Sequence, residues 1–167
     1  MKITVKKIAL ALIGLNILLL GWTFWSVRAH YQRPSLDVLC ESTLAMNRSN
    51  GAESRGFSFE GTVLVRFKPD STGYIWLLGS ASEAQNKTTV AREISFHYRS
   101  KDKNGIFAIT VGPQNRAPRD NTPDALIEHN ISGPAGSTSS YVVRKVNANT
   151  YSIGGIYSPI IMCVDRS

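Results

Sequence analysis

Cysteine and histidine are scarce in this chain of 167 residues, which holds two cysteines and three histidines. No Cys-x-x-Cys pair occurs and the histidines are scattered, so neither a zinc site nor a dithiol redox site is indicated. The chain also lacks a Gly-x-Ser-x-Gly elbow, a P-loop and a His-Glu-x-x-His motif. We therefore expect a protein that is not an enzyme and that uses neither a metal nor another cofactor.

Charged residues are absent from Ile8 to Val27, a run of twenty mostly apolar residues. A helix of this length spans about 30 Å, which is the thickness of the hydrocarbon core of a bilayer. Trp22 and Trp25 lie near its end, where amphipathic aromatic rings favour the membrane interface. The run predicts a transmembrane helix over residues 8–27.

Basic residues flank this run on both sides: Lys2, Lys6 and Lys7 precede it, and Arg28 and Arg33 follow it. The positive-inside rule favours a cytoplasmic N-terminus. The expected organisation is a cytoplasmic tail (1–7), a transmembrane helix (8–27), a juxtamembrane linker (28–34) and a periplasmic domain (35–167). A cleavable signal peptide is the alternative, because Val27-Arg28-Ala29 could pass as a small-x-small cleavage site.

The positive charge of the chain comes mostly from these flanks. The formal net charge is +7, but residues 34–167 hold 14 basic and 12 acidic residues. The flanking cations can pair with anionic lipid head groups, so the bilayer itself is an expected partner. Because no nucleic-acid-binding motif occurs, we expect no direct contact with nucleic acid.

The two cysteines, Cys40 and Cys163, lie near the two ends of the region that follows the apolar run. In an oxidising compartment they form a natural disulfide pair. Two independent buried thiols are the alternative reading.

Hydrophobic spacing after the linker predicts one helix and then a series of strands. Ser35 suits the N-cap of a helix, and Leu36, Leu39, Cys40 and Leu44 recur at helical spacing. Alternating apolar residues then predict strands at 57–67, 74–81, 90–99, 106–111, 141–146, 150–153 and 160–164.

Four prolines mark residues 113–140 as a different kind of segment, in which Thr122 and Pro123 begin a short helix that runs to His129. Short turns between the strands favour antiparallel pairing. The predicted fold class is therefore α+β, with an N-terminal transmembrane helix followed by an antiparallel curved sheet or incomplete barrel and one packed helix.

His97 and His129 are the histidines outside the flank of the apolar run, and histidine titrates near neutral pH. They are candidates for a pH-sensing role. The alternative is a surface histidine on a strand and a helix C-terminal histidine favoured by the helix dipole.

The layout as a whole resembles a known family. A short basic start and an apolar run are followed by a cysteine, by Phe59-Glu-Gly-Thr-Val-Leu-Val65, by Arg92-Glu-Ile-Ser-Phe-His-Tyr-Arg99 and by a second cysteine near the end. This pattern is similar to the FidL-like small inner-membrane proteins of enterobacteria. Within them it most resembles the MyfF/PsaF accessory proteins of fimbrial regulation, which are analogous in layout to ToxS.

This resemblance implies a single-pass inner-membrane accessory protein whose periplasmic domain binds, stabilises and co-senses with a membrane-anchored winged-helix transcription activator. The implied setting is the regulation of fimbriae and virulence, with a heterodimer as the working unit. Two other functions stay open. One is the binding of a small apolar ligand, such as a lipid or a bile salt, and the other is assistance in the assembly of a surface fimbria.

Overall fold

The computed structural model of the chain describes residues 5–31, 36–48, 56–84, 86–155 and 157–166. The chain divides into two units, residues 1–34 and residues 35–167. The first unit contains helix α1 (Val5–Tyr31), whose described side chains, at positions 12–26, are exposed. Within the described residues, we find no helix with both the length and the apolar character that a membrane crossing requires.

The second unit is built from eight β-strands and one short helical segment. The helical segment consists of α2 (Asp124–Ile127) and a π-helical turn (Glu128–Ser132) that continues it directly. The strands are β1 (Val38–Arg48), β2 (Phe57–Phe67), β3 (Thr72–Glu83), β4 (Asn86–Ser100), β5 (Ile106–Arg116), β6 (Thr138–Asn147), β7 (Thr150–Gly154) and β8 (Pro159–Asp165).

Every strand pairs antiparallel with the next strand in the sequence, and β8 returns to pair with β1. The sheet therefore closes into a barrel with the strand order β1 to β8. The first three junctions are long and regular, with eleven paired positions between β1 and β2. The junction of β8 with β1 is the shortest, with two paired positions.

The predicted fold class, α+β, is wrong: the second unit is a closed barrel of antiparallel strands, not an incomplete sheet with one packed helix. The N-terminal transmembrane helix of that prediction has no counterpart among the described helices that meets the requirements for a membrane crossing. The packed helix predicted from Leu36, Leu39 and Leu44 is strand β1. Val38, Cys40, Leu44 and Met46 also lie on the alternate positions of a strand, a series that only Ser42 interrupts. The segment forms a strand rather than a helix because all of β1 pairs with β2.

Some predicted features lie on residues that the structure does not describe. These are residues 1–4 of the tail, residues 32–34 of the linker and the N-cap residue Ser35. The limits of the predicted tail, transmembrane segment and linker stay predictions. The other strands are confirmed in place, although most extend beyond the predicted limits, and the predicted helix at 122–129 corresponds to α2 and the π-helical turn.

The barrel interior is filled by alternate residues of each strand. In β2, Phe57, Phe59, Val63, Val65 and Phe67 point inward and are buried. The equivalent alternation in the other strands completes one apolar core. A sheet closed around a core that side chains fill has this period of two on every strand.

Gly61 and Gly79 face each other across β2 and β3. A Cβ atom added to Gly61 would lie 2.7 Å from the Cα atom of Gly79, and the same distance separates the reverse pair. The two strands approach so closely here that side chains would clash. Paired glycines of this kind allow a sheet to bend sharply as it closes into a barrel.

A disulfide bond joins Cys40 of β1 to Cys163 of β8, with 5.3 Å between the two Cα atoms. Both residues are buried, at 0% and 1% exposure. The predicted pairing of the two cysteines is therefore confirmed. The bond lies at the shortest junction of the barrel and links its first strand to its last.

Replacing both cysteines, as Cys40→Ala/Cys163→Ala, should lower the free energy of unfolding by about 5 kcal/mol, because the bond closes a loop of 123 residues. Urea unfolding followed by tryptophan fluorescence measures this loss. Wild-type protein unfolded in the presence of a reductant is the control and should lose a similar amount. A loss below about 1 kcal/mol would contradict the role assigned to the bond.

Candidate functional site

A cavity of about 120 Å³ lies inside the barrel, between its two ends. Its walls are almost wholly apolar and come from every strand as well as from the π-helical turn. The deepest walls are Val63, Phe67, Leu77, Ile94 and Phe96, which are all at most 5% exposed. Ser95, Ser132, Ser139 and Tyr141 supply the few polar atoms of the lining. Such a chamber suits a small apolar molecule or an apolar side chain.

A gap between β1 and β8 lies beside this cavity. The two strands pair only at Cys40 with Asp165 and at Glu41 with Val164. Ser42 then donates a hydrogen bond from its hydroxyl to the carbonyl oxygen of Met162, at 2.8 Å. Beyond this bond, residues 43–48 of β1 have no paired position on β8. Leu44 on one side of the gap and Ile160 and Ile161 on the other line the cavity.

Among the described residues, the backbone N–H groups of β1 that face this gap beyond Ser42 have no hydrogen-bond partner, whereas the carbonyl oxygen of Thr43 accepts a hydrogen bond from the hydroxyl of Ser42, at 3.3 Å. The carbonyl oxygen of Leu39 accepts a hydrogen bond from the backbone N–H of Arg166, so Leu39 directs its main chain towards β8. In an antiparallel sheet the direction alternates along the strand, so Thr43, Ala45 and Asn47 direct theirs the same way. All three residues are exposed. This part of β1 is therefore an open strand edge.

The outer face of β8 carries an apolar stripe next to the same gap. Ile160, Met162 and Val164 occupy alternate positions on the strand and are 55%, 55% and 46% exposed. Their neighbours Ile161 and Cys163 point into the barrel. An open strand edge flanked by exposed apolar side chains is a typical surface for pairing with another strand.

One end of the barrel is closed by the buried side chain of Arg92, which points inward from β4. Its guanidinium donates two hydrogen bonds to the carboxylate of Asp120, at 2.8 and 2.6 Å. It donates three more, to Gln114, to Asp124 and to the carbonyl oxygen of Thr122. The side chains of Arg92 and Asp120 are both fully buried. The pair therefore ties the segment before α2 across the barrel end.

The carboxylate of Asp120 is held in its charged form. Burial acts to raise the pKa of Asp120, but hydrogen bonds from Arg92 and from the backbone N–H groups of Ala91 and Thr122 lower it by more, so the pKa lies below its usual value. The pKa of Asp124 is also lowered, first by its hydrogen bond from Arg116. Both carboxylates are therefore ionised at neutral pH.

Aromatic rings close the other end of the barrel. Phe67 packs edge-on against Phe96 and Tyr98, with ring centroids 5.2 and 5.3 Å apart. The Tyr98 hydroxyl accepts a hydrogen bond from the backbone N–H of Leu36 and lies 2.6 Å from the carbonyl oxygen of Lys68. Burial raises the pKa of Tyr98, which keeps this hydroxyl protonated. The first described residues of the barrel are thereby fixed to the turn after β2.

His97 and His129 are not brought together by the fold. His97 is exposed on the outer face of β4, between Thr72 of β3 and Thr110 of β5. His129 is exposed in the π-helical turn, at the end of the barrel that Arg92 closes. Neither lines the cavity. Their role in pH sensing stays a prediction.

Sequence reasoning did not find the Arg92 network or the cavity. Arg92 occupies an inward position of an otherwise apolar strand, and such a position needs a buried anion. This signal was available, but it did not identify Asp120, which lies 28 residues further along the chain. Among the described residues, no group of three or more His, Cys, Asp or Glu side chains could hold a metal ion. The expected absence of a metal stays a prediction.

The fold and the site define a small disulfide-closed β-barrel with an apolar chamber and an open strand edge on β1. Residues 79–163 match a family model described as "FidL-like putative membrane protein", and this match covers half of the chain. The chain therefore belongs to the FidL-like family, as its layout predicts. The matched region runs from β3 to Cys163 and includes the Arg92 network and most of the cavity wall.

No curated protein and no solved structure matches the chain. The family match supports a membrane protein in general terms. The closer likeness to the MyfF/PsaF accessory proteins and to ToxS stays a prediction.

Replacing the buried carboxylate, as Asp120→Asn, should lower the free energy of unfolding at pH 7 by about 3 kcal/mol, because Arg92 loses its buried counter-charge. The pKa of Asp120 is lower in the folded protein than the 3.8 of an unfolded chain, so its ionised carboxylate stabilises the fold at pH values above 3.8. This contribution is lost as the pH falls through the lower pKa of the folded state. The difference between wild type and variant should therefore shrink below about pH 4.

Urea unfolding at a series of pH values measures both effects. Arg119→Gln is the matched control, because Arg119 lies in the same segment but is exposed, and its substitution should change the free energy by less than about 0.5 kcal/mol. If the difference in free energy of unfolding between wild type and Asp120→Asn is the same at all pH values, Asp120 does not act as the ionised counter-charge of Arg92.

Proposed function

We propose that this FidL-like protein is a membrane-held accessory protein whose barrel binds the non-cytoplasmic domain of a membrane-anchored winged-helix transcription activator. In this role the barrel stabilises the activator and takes part in sensing a signal. The family supports a membrane location in general terms. The open edge of β1 is the observation on which the proposed interaction rests.

The proposed location is the bacterial inner membrane, in a single-pass arrangement with a cytoplasmic N-terminus and a periplasmic barrel. The uncharged run from Ile8 to Val27 and the lysines that precede it support this arrangement. The disulfide of the barrel supports an oxidising compartment such as the periplasm. An activator held in the same membrane would meet the barrel at a high effective concentration, so a modest interface would suffice.

The chemistry of the gap specifies an extended segment of the partner. The unpaired N–H groups of Thr43, Ala45 and Asn47 and the C=O groups of Ala45 and Asn47 are satisfied best by another β-strand, which offers the same alternation of donors and acceptors. Side chains of such a strand alternate in direction. One set would meet the mouth of the apolar cavity near Leu44 and Ile161, so it should be apolar.

Co-purification from membranes is the direct experiment. The full chain is expressed with the membrane-anchored activator encoded in its own genomic neighbourhood, and the expected result is a stable one-to-one complex and a longer lifetime of the activator. An activator whose level and output do not change when the accessory protein is removed would contradict the proposal. Capture of fimbrial subunits without the activator would instead favour a role in fimbrial assembly.

Replacing Ala45 by proline tests the strand edge. Proline removes the N–H that Ala45 directs into the gap but leaves the hydrogen bonds of β1 to β2 intact, so binding of the activator should fall at least about tenfold. Ala45→Val is the matched control, because it keeps the N–H and suits a strand. Affinity is measured by titration of the solubilised proteins.

Unfolding midpoints of both variants are measured beside the affinities. A proline variant that keeps its midpoint and still binds like the valine variant would contradict the proposed edge pairing.

A second function, the binding of a small apolar ligand, is favoured by the cavity. Its volume of about 120 Å³ is close to that of an engineered protein cavity of about 150 Å³ that binds benzene. Sites for drug-sized ligands are larger, at about 300–1,000 Å³. A whole bile salt is therefore too large for the cavity as it stands, whereas a single small ring or the end of an acyl chain fits.

Native mass spectrometry and thermal unfolding with benzene and hexanoate test this second function. Either probe should raise the unfolding temperature by a few degrees at saturation, because it binds the folded state only. Leu77→Trp is designed to fill the cavity and should remove the shift. Equal shifts in the wild type and in this variant would show that the probes bind elsewhere.

A further inference from the structure

One end of the barrel is markedly more basic than the rest. This basic end consists of residues 36–37 and 166, of the turns that follow β2, β4 and β6, and of the four residues of each strand nearest to them. Hydrogen bonds hold these segments together: Tyr98 joins Leu36 to Lys68, and the backbone N–H of Asp165 donates to the carbonyl oxygen of Asn149.

Charge is distributed unevenly between the basic end and the remainder of the barrel. Among the described residues, the basic end holds eight basic and five acidic residues, whereas the rest of the barrel holds five basic and six acidic residues. The eight basic residues are Arg66, Lys68, Arg99, Lys101, Lys103, Arg144, Lys145 and Arg166. The net charge of the described part of the barrel is only +2, so the total charge does not reveal this uneven distribution.

Four of the five acidic side chains at this end have a bonding partner, two of them within their own turn and two in an ion pair with an arginine. Asp70 accepts hydrogen bonds from the backbone N–H and the hydroxyl of Thr72. Asp102 accepts two from backbone N–H groups inside its own turn. Asp37 pairs with Arg66, and Glu41 pairs with Arg166. None of these four carboxylates forms an ion pair with a lysine, although the charge of Lys68 contributes to the lowered pKa of Asp70.

The other six basic residues at this end form no ion pair among the described residues. Lys68 and Lys145 are exposed and each lies above a tyrosine ring, at 5.4 and 5.5 Å from its centre. Lys101 donates a hydrogen bond to the hydroxyl of Ser140, which is uncharged. Arg99 and Lys103 are exposed and have no ion-pair partner among the described residues. With eight basic and five acidic residues, this end of the barrel carries a net charge of +3.

We propose that the basic end of the barrel binds the surface of a bilayer that contains anionic lipids. The chain reaches β1 at this end, at Leu36, only five residues after Tyr31, the last residue of α1. A membrane-held chain would therefore bring these lysines to the head groups, which attract clustered cations. The inference rests on the proposed membrane location, and it leaves the open edge of β1 free for a protein partner.

The experiment uses the full chain, reconstituted into vesicles of phosphatidylcholine alone or with about one-third phosphatidylglycerol. A fluorescent donor is attached at Asn104→Cys in the turn after β4, and an acceptor dye is placed on the lipid head groups. The native cysteines are buried in their disulfide and do not react. A donor at Ala125→Cys, in α2 at the opposite end of the barrel, is the reference position.

The expected result is energy transfer from position 104 that is about twofold higher in the anionic vesicles and falls in about 0.5 M salt. Lys101→Glu/Lys103→Glu should abolish this increase. Lys87→Glu is the matched control, because Lys87 is exposed at the other end of the barrel, and it should leave the increase unchanged. Transfer from position 125 should not depend on the lipid.

Three results would overturn the inference. A chain that floats with the vesicles but gives equal transfer in both lipids has no affinity of its basic end for anionic lipid, although the proposed membrane location stands. A chain that does not float with either vesicle removes both the inference and the proposed location. Loss of the activator complex in Lys101→Glu/Lys103→Glu, with lipid-dependent transfer retained, would assign the patch to the protein partner instead.

Discussion

The architecture depends on the contact between the first and the last strand. Seven of the eight junctions of the barrel join strands that follow each other in the sequence, so local pairing can form them one by one. The eighth junction joins β1 to β8 and has only two paired positions. The disulfide between Cys40 and Cys163 reinforces it from inside the barrel. Without this contact, the sheet would have two open edges along their full length.

The same contact places the candidate site. Because pairing of β1 with β8 ends near Ser42, the open edge of β1 and the apolar cavity lie next to each other. The barrel ends on either side of the cavity are closed by different chemistry, a buried ion pair at Arg92 and a group of aromatic rings around Tyr98. Because side chains close both ends, the gap between β1 and β8 is the side on which the cavity approaches the protein surface.

Much of the barrel could be predicted from the sequence, because its strands alternate clearly between apolar and polar residues. The run from Phe57 to Phe67 has this pattern without interruption and is a strand over the predicted limits. Strand β1 was misread because its leucines fit a helical spacing as well as the spacing of a strand. Pairing with β2, which single-sequence periodicity does not reveal, decides between the two.

The site was less predictable than the strands. Pairing of the two cysteines followed from their number and position, and this pairing is confirmed. The partners of Arg92 are set by the path of a segment rich in proline, so no local pattern identifies them. Closure of the sheet was also not visible, since it depends on the accumulated twist of eight strands rather than on the residues of any one of them.

The position of β8 at the end of the barrel sequence has a consequence for how the protein is made. A ribosome delivers β1 first and β8 last, so the chain cannot complete its covalent and hydrogen-bonded ring until translation has passed Cys163. Until then Cys40 has no native partner, so oxidation of its thiol before Cys163 is made can give only a non-native disulfide. The disulfide therefore forms only after nearly the whole barrel has been synthesised, from two thiols made at opposite ends of the domain.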